Sequence, residues 1–180
     1  MNLANWITII RILFVPFFII LLAYGWKSYA LLLFCLAGIT DGVDGYIART
    51  RGIKTELGSI LDPLADKFLL ISSFVVLTIK NPVLIPLWFT IILISRELVI
   101  VMGAVVIQFI TNNFKASPTI IGKVTTAFQI STVFIALVIN GVEVSIPVKL
   151  LKIFIIFTTI LTITSGFHYI YLGTKQLNGK

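Results

Sequence analysis

Six long apolar blocks alternate with short polar linkers along the chain. The blocks cover about 7–25, 29–49, 57–79, 83–110, 118–140 and 147–171, and the linkers read GWKS, TRGIKTE, IKNP, TNNFKAS and NGVEVSIP. Every linker holds Gly, Pro, Asn or a charge, residues that interrupt helices and sit in water or headgroups. Runs this long and continuously apolar predict helices, because hydrocarbon gives backbone N–H and C=O groups no partner outside the segment. The pattern predicts an all-α integral membrane protein, a single bundle of six transmembrane helices formed by one domain over residues 1–180.

Composition narrows the class. Of 180 residues, 58% are hydrophobic and 12% charged, with a mean hydropathy of +1.09; a soluble domain is about 45–50% apolar. A crossing takes about 20 apolar residues, so six crossings leave no room for a soluble domain. The opening MNLANW has neither a basic leader nor a small-residue cleavage site, so the first block is expected to stay as a helix. Cys35 lies in an apolar block and can form no internal disulfide. No nucleic-acid partner is expected.

Six spans put Arg49, Arg51, Lys54, Lys115, Lys123, Lys175 and Lys180 on one side, with both termini, and Lys27, Lys80, Lys149 and Lys152 on the other. The richer side is expected to be cytoplasmic. Tyr24, Trp26 and Tyr29 would then mark one interface, and Trp6, Tyr169 and Tyr171 the opposite one.

The seven acids are distributed unevenly. Asp41, Asp44, Asp62 and Asp66 fall within 26 residues, while Glu56, Glu97 and Glu143 make up the rest. Asp41 and Asp44 are spaced i, i+3 near the end of the second block; Asp62 and Asp66 are spaced i, i+4 near the start of the third. Each pair shares one helix face, and a short basic linker brings the two helices together as an antiparallel hairpin. Four carboxylates at one depth in a low dielectric require a cation. Arg49, Arg51, Lys54 and Lys67 could supply it as structural ion pairs. An all-oxygen set suits Mg²⁺ or Mn²⁺ better, and a pair of such ions can clamp a displacement at phosphorus. Gly38, Gly42, Gly45 and Ala48 give the second helix a small-residue surface, for helix packing or for close approach of a ligand. Two readings of Pro63 stand: Asp62 caps a helix starting at Pro63, or the helix starts near Gly58 and encloses both.

The spacing D-x2-D-G-x2-A-R-x8-G-x3-D-x3-D occurs without departure through Asp41, Asp44, Gly45, Ala48, Arg49, Gly58, Asp62 and Asp66. It resembles the signature of the CDP-alcohol phosphotransferases, membrane enzymes of phospholipid synthesis. The start MNLANWITIIRILFVP, through Asn5, Thr8, Arg11 and Pro16, looks like the branch of bacterial phosphatidylglycerophosphate synthases, as do SREL at 95–98 and GKVTTAFQ at 122–129. The resemblance implies that Asp41, Asp44, Asp62 and Asp66 bind two Mg²⁺ or Mn²⁺ ions with the diphosphate of CDP-diacylglycerol, and that Asp66 is the general base. It implies that Gly42, Gly45, Ala48, Arg49 and Gly58, with Asn5 and Thr8, hold the CDP-lipid. The enzyme would sit in a bacterial cell membrane, its site facing the cytoplasm and membrane lipid, in a homodimer.

The acceptor implied, glycerol 3-phosphate, carries a phosphate dianion that asks for fixed cations. Arg96, deep in the fourth block beside Glu97, is a candidate, as are Arg11, Lys115 and Lys123. A pair of Arg96 with Glu97 or with an aspartate that only fixes packing is the plainer alternative. Lys123, Thr126 and Gln129 form a polar stripe at helical spacing, expected to face a cavity. His168 and Glu143 are expected to be structural and solvated respectively. Within the family the acceptor could instead be a phosphatidyl lipid, serine or an inositol phosphate. Intramembrane prenyltransferases also hold metal diphosphates on aspartates, but in larger bundles. A divalent-cation transporter would spread acids through the membrane depth, whereas four of seven gather here at one interface.

Overall fold

The computed structural model describes residues 3–51, 56–111, 119–141 and 148–178, with side chains at 10, 12–40, 67–107, 109–110, 119–141 and 148–176. The described residues form six helices in the order the apolar blocks predict: α1 (Leu3–Ala23), α2 (Lys27–Arg51), α3 (Glu56–Lys80), α4 (Leu87–Thr111), α5 (Ile120–Gly141) and α6 (Val148–Asn178). Among the described residues, three stretches are long and apolar enough to cross a membrane: Leu87–Ile107, Ile120–Gly141 and Val148–Gln176. Among the described residues, α1 and α2 also carry apolar stretches, Ile12–Ala23 and Lys27–Thr40. Leu13, Phe17, Leu32, Met102, Phe109, Ile153 and Phe167 are exposed. A surface this apolar fits lipid and not water.

The chain divides into two compact units, Met1–Pro82 with Val133–Ile146, and Val83–Thr132 with Pro147–Lys180. In the first, α1 packs on α2 and α3. Phe18 and Leu22 on α1, Ala30, Phe34 and Ala37 on α2, and Leu69, Ser73 and Leu77 on α3 are buried, at the three- and four-residue steps of a helix face. Phe18 meets Phe34 with ring centroids 6.1 Å apart. The α1–α2 turn is a Schellman ending: Trp26 N donates to Leu21 O, Gly25 N donates to Leu22 O, and Gly25 has φ +80°. Only glycine takes that conformation without cost.

Helix ends in this unit are tied together. Lys80 Nζ donates to Ala23 O at 2.9 Å, a cation on the carbonyl end of α1. Ser28 Oγ donates to Gly141 O at 2.8 Å, and Asn81 Nδ2 to Asn140 Oδ1 at 3.3 Å. A Cβ at Gly141 would lie 3.1 Å from the Lys27 carbonyl, so the end of α5 reaches α2 because it has no side chain there.

In the second unit α4 packs on α6. Phe89, Leu93 and Ile107 on α4 and Leu151 and Ile155 on α6 are buried. Phe128 of α5 lies between the rings of Phe154 and Phe157, with centroids 5.9 and 5.1 Å away.

Candidate functional site

The signature positions occupy regular helix. Asp41, Gly42, Asp44, Gly45, Ala48 and Arg49 lie in the second half of α2, and Gly58, Asp62 and Asp66 in the first half of α3. Asn5, Thr8 and Arg11 lie on α1, three residues apart. The start of α3 at Glu56 decides the Pro63 question: Asp62 is inside the helix and does not cap it. Positions 62 and 66 are therefore one turn apart on α3, and 41 and 44 on α2. A donor set made only of carboxylates at these steps suits a hard divalent cation. Among the described side chains no three His, Cys, Asp or Glu gather into a ligand group; those of the four aspartates lie outside the described ones, as does Lys115. Ahead of the signature, Thr40 Oγ1 bonds back to Leu36 O and Ala37 O at 2.9 and 2.8 Å. Gly38 has open space where a Cβ would stand.

Arg96 is the best-defined cation. It is 8% exposed on α4 and donates from Nη1 to Glu97 Oε1. Nη2 donates to Ser165 Oγ at 2.8 Å, and the guanidinium carbon stands 5.6 Å from the centroid of the Tyr169 ring. Its stem runs beside α6 where a Cβ at Gly166 would be 3.7 Å from Arg96 Cγ. Its Nε is buried and has no hydrogen-bond partner among the described residues. An arginine cannot shed its proton, so this guanidinium stays charged in its buried place beside Glu97. The Glu97 pair of the plainer alternative is present, as one contact of three.

Lys123 is exposed near the start of α5. The stripe expected through Lys123, Thr126 and Gln129 is not the one the fold builds. Thr126 is half-buried and bonds back to Gly122 O, whereas Gln129 is 1% exposed and donates to Thr162 Oγ1 at 3.4 Å. Gln129 belongs to a different line, Thr125, Gln129 and Thr132, which meets Thr158 and Thr162 of α6. Thr125 Oγ1 donates to Leu161 O at 3.3 Å, and the Thr132 and Thr158 hydroxyls are 3.0 Å apart. Each hydroxyl is satisfied, which an apolar interior requires.

Thr119 N donates to Tyr169 Oη at 3.3 Å, extending the same pairing to the first turn of α5. Sequence reading missed the α6 side of this network: Thr158, Thr162, Ser165 and Tyr169. Their spacing of four, three and four in an apolar helix was the available signal. His168 is half-buried, and Glu143 lies outside the described residues.

Comparisons with known proteins agree with the signature. A family model described as CDP-alcohol phosphatidyltransferase matches residues 1–164. A Bacillus subtilis protein named CDP-diacylglycerol–glycerol-3-phosphate 3-phosphatidyltransferase is 33% identical over 93% of this chain and 93% of its own. A Mycobacterium tuberculosis protein named probable phosphatidylglycerophosphate synthase is 39% identical over 54% of this chain, a match spanning 48% of that relative. A human protein named cardiolipin synthase (CMP-forming) is 35% identical over 79% of this chain and 52% of its own. With the family matched along nearly the whole chain and the α2–α3 signature intact, this chain belongs to the CDP-alcohol phosphatidyltransferase family.

Proposed function

We propose that this chain transfers the phosphatidyl group of CDP-diacylglycerol to sn-glycerol 3-phosphate and releases CMP. The observation that carries the reading is the end-to-end likeness to the Bacillus subtilis protein bearing that activity in its name, together with the complete signature on α2 and α3. The acceptor hydroxyl attacks the phosphatidyl phosphorus, the bond to CMP breaks, and CMP leaves with the electron pair. Asp66 takes the hydroxyl proton as general base. Asp41, Asp44, Asp62 and Asp66 would hold Mg²⁺ or Mn²⁺ ions, which when bound neutralise the diphosphate charge. Gly42, Gly45, Ala48, Arg49 and Gly58, with Asn5 and Thr8, hold the CDP-lipid.

Arg96 binds the acceptor phosphate through its open Nε–H, with Lys123, Lys115 and Arg11 as further cations. The chain is a single membrane domain of six spans with both termini and the site on the cytoplasmic side of a bacterial cell membrane, and it works as a homodimer.

The test is CMP release by purified protein given CDP-diacylglycerol and Mg²⁺, with glycerol 3-phosphate, glycerol, serine, phosphatidylglycerol or inositol phosphate as acceptor. Release with glycerol 3-phosphate alone is expected. Release with phosphatidylglycerol instead would keep the family's transfer chemistry and overturn glycerol 3-phosphate as the acceptor. A folded protein silent with every acceptor would overturn the transfer reading.

A further inference from the structure

We propose that Ser165 and Tyr169 of α6 are positioning residues for the acceptor phosphate, fixing the Arg96 guanidinium and coupling it to the first turn of α5. The inference rests on the reading of Arg96 as the acceptor-phosphate group, and neither residue falls within the 1–164 matched to the family.

Four observations point the same way. Ser165 Oγ accepts from Nη2 at 2.8 Å, while Glu97 takes Nη1. This fixes the guanidinium plane and leaves Nε as the guanidinium nitrogen without a hydrogen-bond partner among the described residues. The Tyr169 ring lies 5.6 Å from the guanidinium carbon, within cation–π range, one helical turn beyond Ser165. The Tyr169 hydroxyl also accepts from Thr119 N at 3.3 Å, so one side chain touches both the guanidinium and the start of α5.

That start is built to receive it. Thr119 caps α5, its Oγ1 accepting from Gly122 N at 3.0 Å. A Cβ at 122 would stand 2.7 Å from Tyr169 Oη, so a glycine is what admits the tyrosine. The next residue is Lys123, exposed. Ser165 and Tyr169 thus orient the buried cation and anchor the turn that carries the exposed one. A guanidinium free to rotate would spend part of its time with Nε turned away from its anion, which weakens acceptor binding and leaves the transfer step alone.

The test measures CMP release at saturating CDP-diacylglycerol while glycerol 3-phosphate is varied. Ser165→Ala is expected to raise KM for glycerol 3-phosphate about tenfold, the size of one charge-assisted hydrogen bond, with kcat and the KM for CDP-diacylglycerol within about twofold. Ser165→Thr restores the hydroxyl and the KM. Tyr169→Phe keeps the ring and costs less than Tyr169→Leu, which loses both contacts. Thr158→Val, on the same helix but in the threonine seam, serves as control and leaves both KM values in place.

An unchanged acceptor KM in Ser165→Ala overturns the inference. So does a uniform loss of kcat and melting temperature that Ser165→Thr fails to rescue, because that is a packing role. If Tyr169→Leu does not fold, Ser165→Ala and Tyr169→Phe decide. Wild-type release that ignores glycerol 3-phosphate instead removes the underlying reading, a result separable from all of these.

Discussion

In the unit of α1, α2, α3 and the carboxy end of α5, Lys80 and Ser28 reach main-chain carbonyls at helix ends, where water competes for the same bonds. In the unit of α4, α6 and the amino half of α5, Thr125, Gln129, Thr132, Thr158, Thr162, Ser165 and Arg96 are all buried. The same bond is worth different amounts in the two settings. At an exposed end a lost partner is replaced by solvent; in an apolar seam it leaves a group unsatisfied. The first unit also carries the signature aspartates, and the second the one buried arginine among the described side chains. Chemistry and acceptor grip should therefore separate into kcat effects in the first and KM effects in the second.

The largest expected effect tests that separation. Asp66→Asn should cut CMP release about 10³-fold while CDP-diacylglycerol still protects the protein against thermal unfolding; release near the wild-type rate would remove Asp66 as the base. Chelation of divalent ions should bring release to background, with recovery on adding Mg²⁺ or Mn²⁺, and persistence through chelation would count against the four-aspartate ion site.

Next comes packing. Gly141→Ala forces a Cβ to 3.1 Å from the Lys27 carbonyl, and overpacking of this kind costs about 1–3 kcal/mol, read as a lower melting temperature in detergent. An unchanged melting temperature would mean that the α5 end is not held against α2. The smallest effect is in the threonine seam. Thr132→Val and Thr158→Val in a double-mutant cycle should show a coupling of about 0.6 kcal/mol, the scale of hydrogen bonds between membrane helices. A coupling near zero would mean that the two hydroxyls do not bond each other.

What the sequence made legible follows from periodicity and fixed spacing. The six helices were readable because each apolar block is long and bounded by helix breakers. The aspartate signature was readable because its eight positions have invariant steps. Pro63 was not, since a proline reads equally well at a first turn or inside a membrane helix, and only the start of α3 at Glu56 separates the two. Gln129 was placed in the wrong stripe for a related reason. Lines through 123, 126 and 129 and through 125, 129 and 132 both follow helical steps, and only a partner helix shows which one is buried. The spacing of Thr158, Thr162, Ser165 and Tyr169 could mark a polar face of α6, but not its partner, because Ser165 is 69 positions from Arg96 and a serine in an apolar helix reads as one that bonds its own backbone.

The length of α6 has a consequence of its own. At about 1.5 Å per residue its 31 residues extend roughly 46 Å, against a hydrocarbon core of about 30 Å. The helix must tilt or project, and bilayer thickness sets the balance between the two. Because Ser165 and Tyr169 ride on this helix, a tilt imposed by a thinner or thicker bilayer would be carried to the Arg96 side chain they touch, and acyl-chain length would then bear on the acceptor step proposed for it.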